Sequence, residues 1–254
     1  MPAGTVNVRG DLTVARGALL DAVAPASGGI GAALPGTVNV TGNIRVRPGA
    51  VLALGCGPDS CKSPLGSTDD HVGGSITGFG ALAVLVHSTT IGGNLSLLGG
   101  GGGPTVEGAP ATNACLGSTT PPAPWSQDPN LAHIPVYSDL EDNSIGGNMT
   151  VYGLQSCYFG ALRNVVRGSA VFANNSMGDI DANEDVSNTI ERNLACFNNT
   201  VPVQFGDSGE SGGGTPNLVG GFAFGECGFN VMSPDVDYST GGPQHISVML
   251  HPHR

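Results

Sequence analysis

Three acidic clusters are the part of this 254-residue sequence best equipped for chemistry. Asp69 and Asp70 stand beside His71, Asp139 is followed by Glu141 and Asp142, and Asp179, Asp181, Glu184 and Asp185 fall within "GDIDANED". Paired carboxylates can cleave a glycosidic bond, one donating a proton while the other acts as base or nucleophile. The oxygen-rich "GDIDANED" segment could instead hold Ca2+, although it lacks EF-hand spacing. Basic partners are few, with Arg163, Arg167 and Arg192 nearest these acids. If a glycan binds, a neutral one is therefore expected. Trp125, the single tryptophan, offers a ring face for such a sugar or a cap for apolar surface beneath it. His71, His87, His133, His245, His251 and His253 form no ligand spacing, and the closing "HPHR" reads as a tail.

Composition narrows the classes further. Nine Lys and Arg stand against 20 Asp and Glu, a formal charge of -11. Nucleic acids and anionic membranes, both bound through basic groups, are poor partners for such a chain. No run of 18 apolar residues is present, so no transmembrane helix is expected. "MPAGTVNV" has neither a basic region nor an apolar run, and is read as the start of a mature or trimmed product. With 42 Gly and 18 Pro, little of the chain can sustain three helical turns. "GDSG" at Gly206 has the letters of a serine-protease nucleophile segment. Without matching partners, Ser208 reads as part of a Gly-rich turn.

Six cysteines, Cys56, Cys61, Cys115, Cys157, Cys196 and Cys227, allow fifteen complete pairings. Neighbour pairs are preferred (56 with 61, 115 with 157, 196 with 227), because each closes a loop with no other visible anchor. Zinc is disfavoured, since CxxC spacing and accompanying histidines are missing. An even count of disulfide-forming cysteines points to an oxidising compartment.

The acids and cysteines interrupt a repeat. "VRGDLTV" at Val8 returns as "VTGNIRV" at Val40, "VGGSITG" at Val72, "IGGNLSL" at Ile91, "IGGNMTV" at Ile145, "VRGSAVF" at Val166 and "IERNLAC" at Ile190. Successive offsets are 32, 32, 19, 54, 21 and 24 residues. The template is apolar, any, Gly, Asn/Asp/Ser, apolar, polar, apolar. Its alternation makes a strand with one apolar face, and its Gly and Asn make a corner through tight approach or positive φ. Steps near 20 residues fit one coil, and longer steps fit a coil with an insertion. Stacked coils share a core that no single coil can close. The expected fold is therefore an all-β, single-stranded parallel β-helix (β-solenoid) spanning 1–254. Residues 98–143 are a Gly/Pro-rich insertion or loop, either lying over one face or hiding a coil, and 228–254 a terminal strand or tail. Gly10, Asp11, Gly42, Asn43, Gly93, Asn94, Gly147, Asn148 and Gly168 mark the corners, so "RGD" at Arg9 is a corner rather than an adhesion signal.

The segment "IERNLACFNN…PNLVGGFAFGECGF" resembles a recurring tail of secreted actinobacterial parallel β-helix repeat proteins of uncharacterised function. The matching residues are Asn193, Leu194, Cys196, Asn199, Pro216, Asn217, Val219, Gly220, Gly225 and Cys227, while Arg192 replaces the usual Gly. The resemblance implies secretion and a β-helix, and no reaction.

Two functions follow as expectations. The first is a secreted or cell-surface structural protein that assembles end to end, through its open strand edges, into a fibre or layer. The second is an extracellular protein that binds or degrades carbohydrate along an acidic lateral groove. An enzyme should show an open groove with acids about 5 to 10 Å apart. A binding module should instead show an exposed aromatic platform.

Overall fold

The computed structural model describes residues 4–23, 36–55, 69–103, 121–128, 131–132, 135–178, 182–201, 203, 215–229 and 231–232. The chain winds as a parallel β-helix with three long sheets. The first sheet stacks Gly4–Val8, Gly36–Val40, His71–Val72, Thr90–Ile91, Ser144–Ile145, Val165–Val166, Thr189–Ile190, Asn217–Val219 and Val231–Met232. The second stacks Leu12–Val14, Ile44–Val46, Ile76–Phe79, Leu95–Leu98, Met149–Tyr152, Ala170–Ala173, Leu194–Phe197 and Ala223–Gly225. The third stacks Leu19–Asp21, Val51–Leu54, Ala83–His87, Tyr137–Glu141, Tyr158–Leu162 and Asn183–Val186.

Register follows the template residue for residue. Val8, Val40, Val72, Ile91, Ile145, Val166 and Ile190 stack in that order. Val219 then adds an eighth rung above Ile190. Sequence comparison alone passes over this copy, because Phe222 stands where the template calls for Asn, Asp or Ser. The 54-residue step is one coil carrying an insertion. Tyr137–Glu141, inside the stretch 98–143, is that coil's third strand.

Each corner has its own chemistry. Between the first and second sheets, the fourth template residue accepts a hydrogen bond from the backbone N–H of its counterpart one rung on. Asn43 N–H donates to Asp11, Ser75 N–H to Asn43, Asn94 N–H to Ser75, Asn148 N–H to Asn94, and Ser169 N–H to Asn148. Phe222 N–H closes this ladder on Asn193. Among the template glycines, only Gly10 has positive φ. The others serve close approach. A Cβ on Gly147 would collide with Asn94 Oδ1 and lie 2.9 Å from Gly93 O.

Left-handed residues turn the other two corners. Asp69, Ser88, Asp142, Arg163 and Ser187 precede strands of the first sheet, and Asn174 and Asn198 directly follow strands of the second. A short polar side chain tolerates this conformation best. The residue after each is buried and joins a second type of ladder. Asn143, Asn164, Asn188 and Asn217 are linked by amide-to-amide bonds of 2.9, 2.9 and 3.0 Å, and each also donates to a buried backbone carbonyl. Asp70 occupies the same corner and accepts from Val38 N–H and Gly55 N–H.

The core is a column of Val, Ile, Leu and Ala from every rung, with Phe159 and Phe172 in contact at 5.8 Å between centroids. A disulfide joins Cys196 to Cys227 across a Cα separation of 5.3 Å, within the usual range. Cys157 is also disulfide-bonded. Cys56, Cys61 and Cys115 lie outside the described residues, as do His133, His245, His251, His253, Ser208, Asp179 and Asp181.

Candidate functional site

The third sheet is buried on both faces from Val51–Leu54 onward. Its inner face feeds the core. Its outer face begins as a second apolar cluster containing Val51, Ala53, Leu82, Ala83 and Leu85. Trp125 seals that cluster, fully buried and edge-on to Tyr137 at 5.5 Å. Of the two roles the sequence left open for it, the cap over apolar surface is the one seen, and its ring face is not available for a sugar contact.

Further along the stack the same outer face turns polar. Leu85 is followed in register by Asp139, Gly160 and Glu184, and His87 by Glu141 and Leu162. His87 is fully buried, and Asp139, Glu141 and Glu184 are nearly so. Tyr158 donates its hydroxyl hydrogen to Glu184 Oε2. Arg163 forms charge-assisted bonds at 2.9 Å to Glu141 and at 2.8 Å to Asp142. His87 Nε2 stands 3.6 Å from Asp139 Oδ2.

Burial sets the protonation of this cluster. It pushes Asp139 up to about 7, with the charge of Glu184 adding to the effect. It pushes Glu141 up to about 8, reinforced by Asp139. Tyr158 moves upward for the same reasons, burial first and then its carboxylate neighbours. Burial works against the charge of Arg163, yet the bond to Asp142 and the charges of Asp142 and Glu141 raise it above its ordinary value.

Two of the three acidic clusters therefore converge, through Asp139, Glu141 and Glu184. The third does not, because Asp70 is committed to a backbone corner. Asp185 faces inward, where it accepts from Asn188 Nδ2, so the described part of the calcium segment sends Glu184 and Asp185 to opposite faces of the sheet. His87, Tyr158 and Arg163 complete the cluster. Only Arg163 stood near the acids in the sequence; strand parity and rung order are what bring His87 and Tyr158 to them.

Buried Asp185 is likewise pushed up to about 8. Here the folded state holds a proton that the unfolded chain releases near pH 4. Stability from this group is complete below that pH and declines as pH rises toward 8. The thermal midpoint is expected to fall between pH 5 and pH 8, and Asp185→Asn to flatten that dependence. An equally steep profile in the variant would assign it to other groups.

The second sheet carries a different feature. Phe79, Leu98, Tyr152, Ala173 and Phe197 stack in one row. Phe79, Tyr152 and Phe197 are 64%, 51% and 45% exposed, which leaves three rings on the surface at alternate rungs. Each residue of the row lies seven positions after the opening apolar residue of its template copy, a regularity present in the sequence. The neighbouring row, Thr77, Ser96, Thr150, Val171 and Ala195, is uncharged.

No family model, curated protein or solved structure matches the chain. The molecule is a three-sided parallel β-helix with a polar cluster enclosed on its third sheet and an aromatic row open on its second. No helix among the described residues is long and apolar enough to cross a membrane.

Proposed function

We propose that this chain is a secreted β-helix that binds a neutral, linear polysaccharide along its second sheet. The row of Phe79, Tyr152 and Phe197 carries the reading. Alternate rungs are about 9.6 Å apart. A stretched β-1,4-linked chain advances by close to one rung per ring and presents the same ring face at every second sugar. Aromatic faces at alternate rungs can thus stack on alternate sugars. Aligned exposed rings make this row a candidate binding surface. The uncharged flank and the charge of -11 favour a neutral polymer over a polyanion. The Cys196–Cys227 disulfide supports an oxidising, extracellular setting, as does the resemblance to secreted actinobacterial repeat proteins.

Affinity electrophoresis in gels containing soluble β-1,4-glucan checks the reading. The wild-type chain is expected to be retarded by glucan and not by polygalacturonate. Tyr152→Ala and Phe197→Ala are each expected to weaken retention about tenfold. Equal mobility in gels with and without glucan would refute it.

End-to-end assembly into a fibre or layer is a second reading. Gly4–Val8 has Gly36–Val40 as its one strand partner among the described residues, and Gly4, Thr5, Val6 and Asn7 are exposed. Ligand-free sedimentation over a wide concentration range separates the two. Growing oligomers support assembly, and a constant monomer leaves glycan binding alone.

A further inference from the structure

We infer that His87, Asp139 and Glu141 form a binding site for one divalent transition-metal ion on the outer face of the third sheet. One potential ligand atom from each lies within 4.8 Å of the others, and all three side chains are buried. The separation of His87 Nε2 from Asp139 Oδ2, 3.6 Å, is too long for a hydrogen bond. It is close to the spacing of about 3.4 Å between two ligands that share a tetrahedral ion at bond lengths near 2.1 Å.

Asp139 Oδ1 supplies an independent observation. It is buried and has no hydrogen-bond partner among the described residues. It stands over Gly160, where a Cβ would lie only 2.6 Å away, so the missing side chain keeps room beside the carboxylate. Charge balance points the same way. Asp139, Glu141 and Glu184 bring three carboxylates together, while Arg163 is shared with Asp142. A buried excess of negative charge requires protons or a cation. The imidazole selects among cations, because Ca2+ and Mg2+ favour all-oxygen shells whereas Zn2+, Mn2+ and Co2+ accept mixed nitrogen and oxygen. Arg163 holds Glu141 Oε2 from outside, the orienting role that outer partners play at metal sites.

The test uses the full chain with His245→Ala, His251→Ala and His253→Ala, which removes the competing terminal histidines. After chelator treatment it is titrated with Zn2+, Mn2+ and Co2+ by calorimetry, and Co2+ binding is also read by visible absorbance. One ion per chain is expected, with a raised thermal midpoint. His87→Gln and Asp139→Asn are each expected to weaken binding by at least the ~10- to 100-fold that even outer partners cost. Far-UV circular dichroism confirms that the variants fold. If His87→Gln does not, Asp139→Asn carries the comparison. Absence of binding by all three ions, or binding unchanged in a folded variant, overturns the site and leaves shared protons to neutralise the cluster.

Discussion

Replacing Gly147 with alanine is expected to destabilise the fold by about 3 kcal/mol, at the upper end of what overpacking costs. A Cβ there would overlap Asn94 Oδ1 and press on Gly93 O at 2.9 Å, both in the rung beneath. Asn94 Oδ1 can yield at the cost of one exposed bond, but the backbone oxygen of Gly93 cannot step aside cheaply. Asn94 Oδ1 holds the backbone N–H of Asn148 at 2.7 Å, and Gly93 O accepts from Gly147 N–H itself. Relief therefore requires the rungs to separate and both ladders to lengthen. Gly4→Ala is the matched control, because a Cβ there meets nothing within 4 Å. It is expected to change stability by no more than about 0.5 kcal/mol. Denaturant midpoints of the two variants decide the matter. Equal values would show that the corner glycines serve flexibility rather than close approach.

Asn164→Ala is expected to cost about 4 kcal/mol, because it orphans one buried N–H and breaks three further buried hydrogen bonds. The Asn164 amide donates to Leu140 O at 2.7 Å and to Asn188 Oδ1 at 2.9 Å. Its oxygen accepts from Asn143 N–H at 3.1 Å and from Asn143 Nδ2 at 2.9 Å. Alanine leaves the buried Asn143 N–H without its acceptor and removes one bond each from Leu140 O, Asn143 Nδ2 and Asn188 Oδ1, in a site from which water is excluded. Asn94→Ala removes a chemically similar bond from an exposed ladder, where water can replace it, and is expected to cost less than about 1 kcal/mol. The contrast is the result to look for in equilibrium unfolding. A small loss for Asn164→Ala would mean that the inner ladder is ornamental and that apolar stacking alone holds the corner.

These two variants also mark how far the sequence can be read. The first-to-second-sheet corner is visible in the letters, because Gly147 and Asn148 recur with their apolar flanks and repetition reports a shared backbone environment. The inner ladder is less visible. Asn143, Asn164, Asn188 and Asn217 each stand two residues before an opening apolar position. Thr89 and Asp70 share that place, so the spacing rather than one residue type carries the signal. Trp125 shows the limit for single residues, since a lone tryptophan in a Pro-rich stretch has no periodicity to reveal which way it faces. The polar cluster is harder still. His87 and Glu141 are separated by a long insertion, yet rung stacking makes them direct neighbours in the third sheet. Only the number of rungs between them, which insertions conceal, could have placed them together.

The aromatic row was within reach, given the rung register, because Phe79, Tyr152 and Phe197 keep one template position. It also provides the most direct test of the proposed function. Calorimetric titration with β-1,4-linked gluco-oligosaccharides of increasing length measures whether the row acts as one surface. Phe79 and Phe197 are four rungs apart, about 19 Å. Affinity is expected to climb with oligosaccharide length until the ligand spans that distance and then to level off. A Tyr152→Ala, Phe197→Ala double variant is expected to lose the climb while keeping its fold. Failure of the wild-type chain to bind at any length, or the same length dependence in the double variant, would contradict glycan binding along the second sheet.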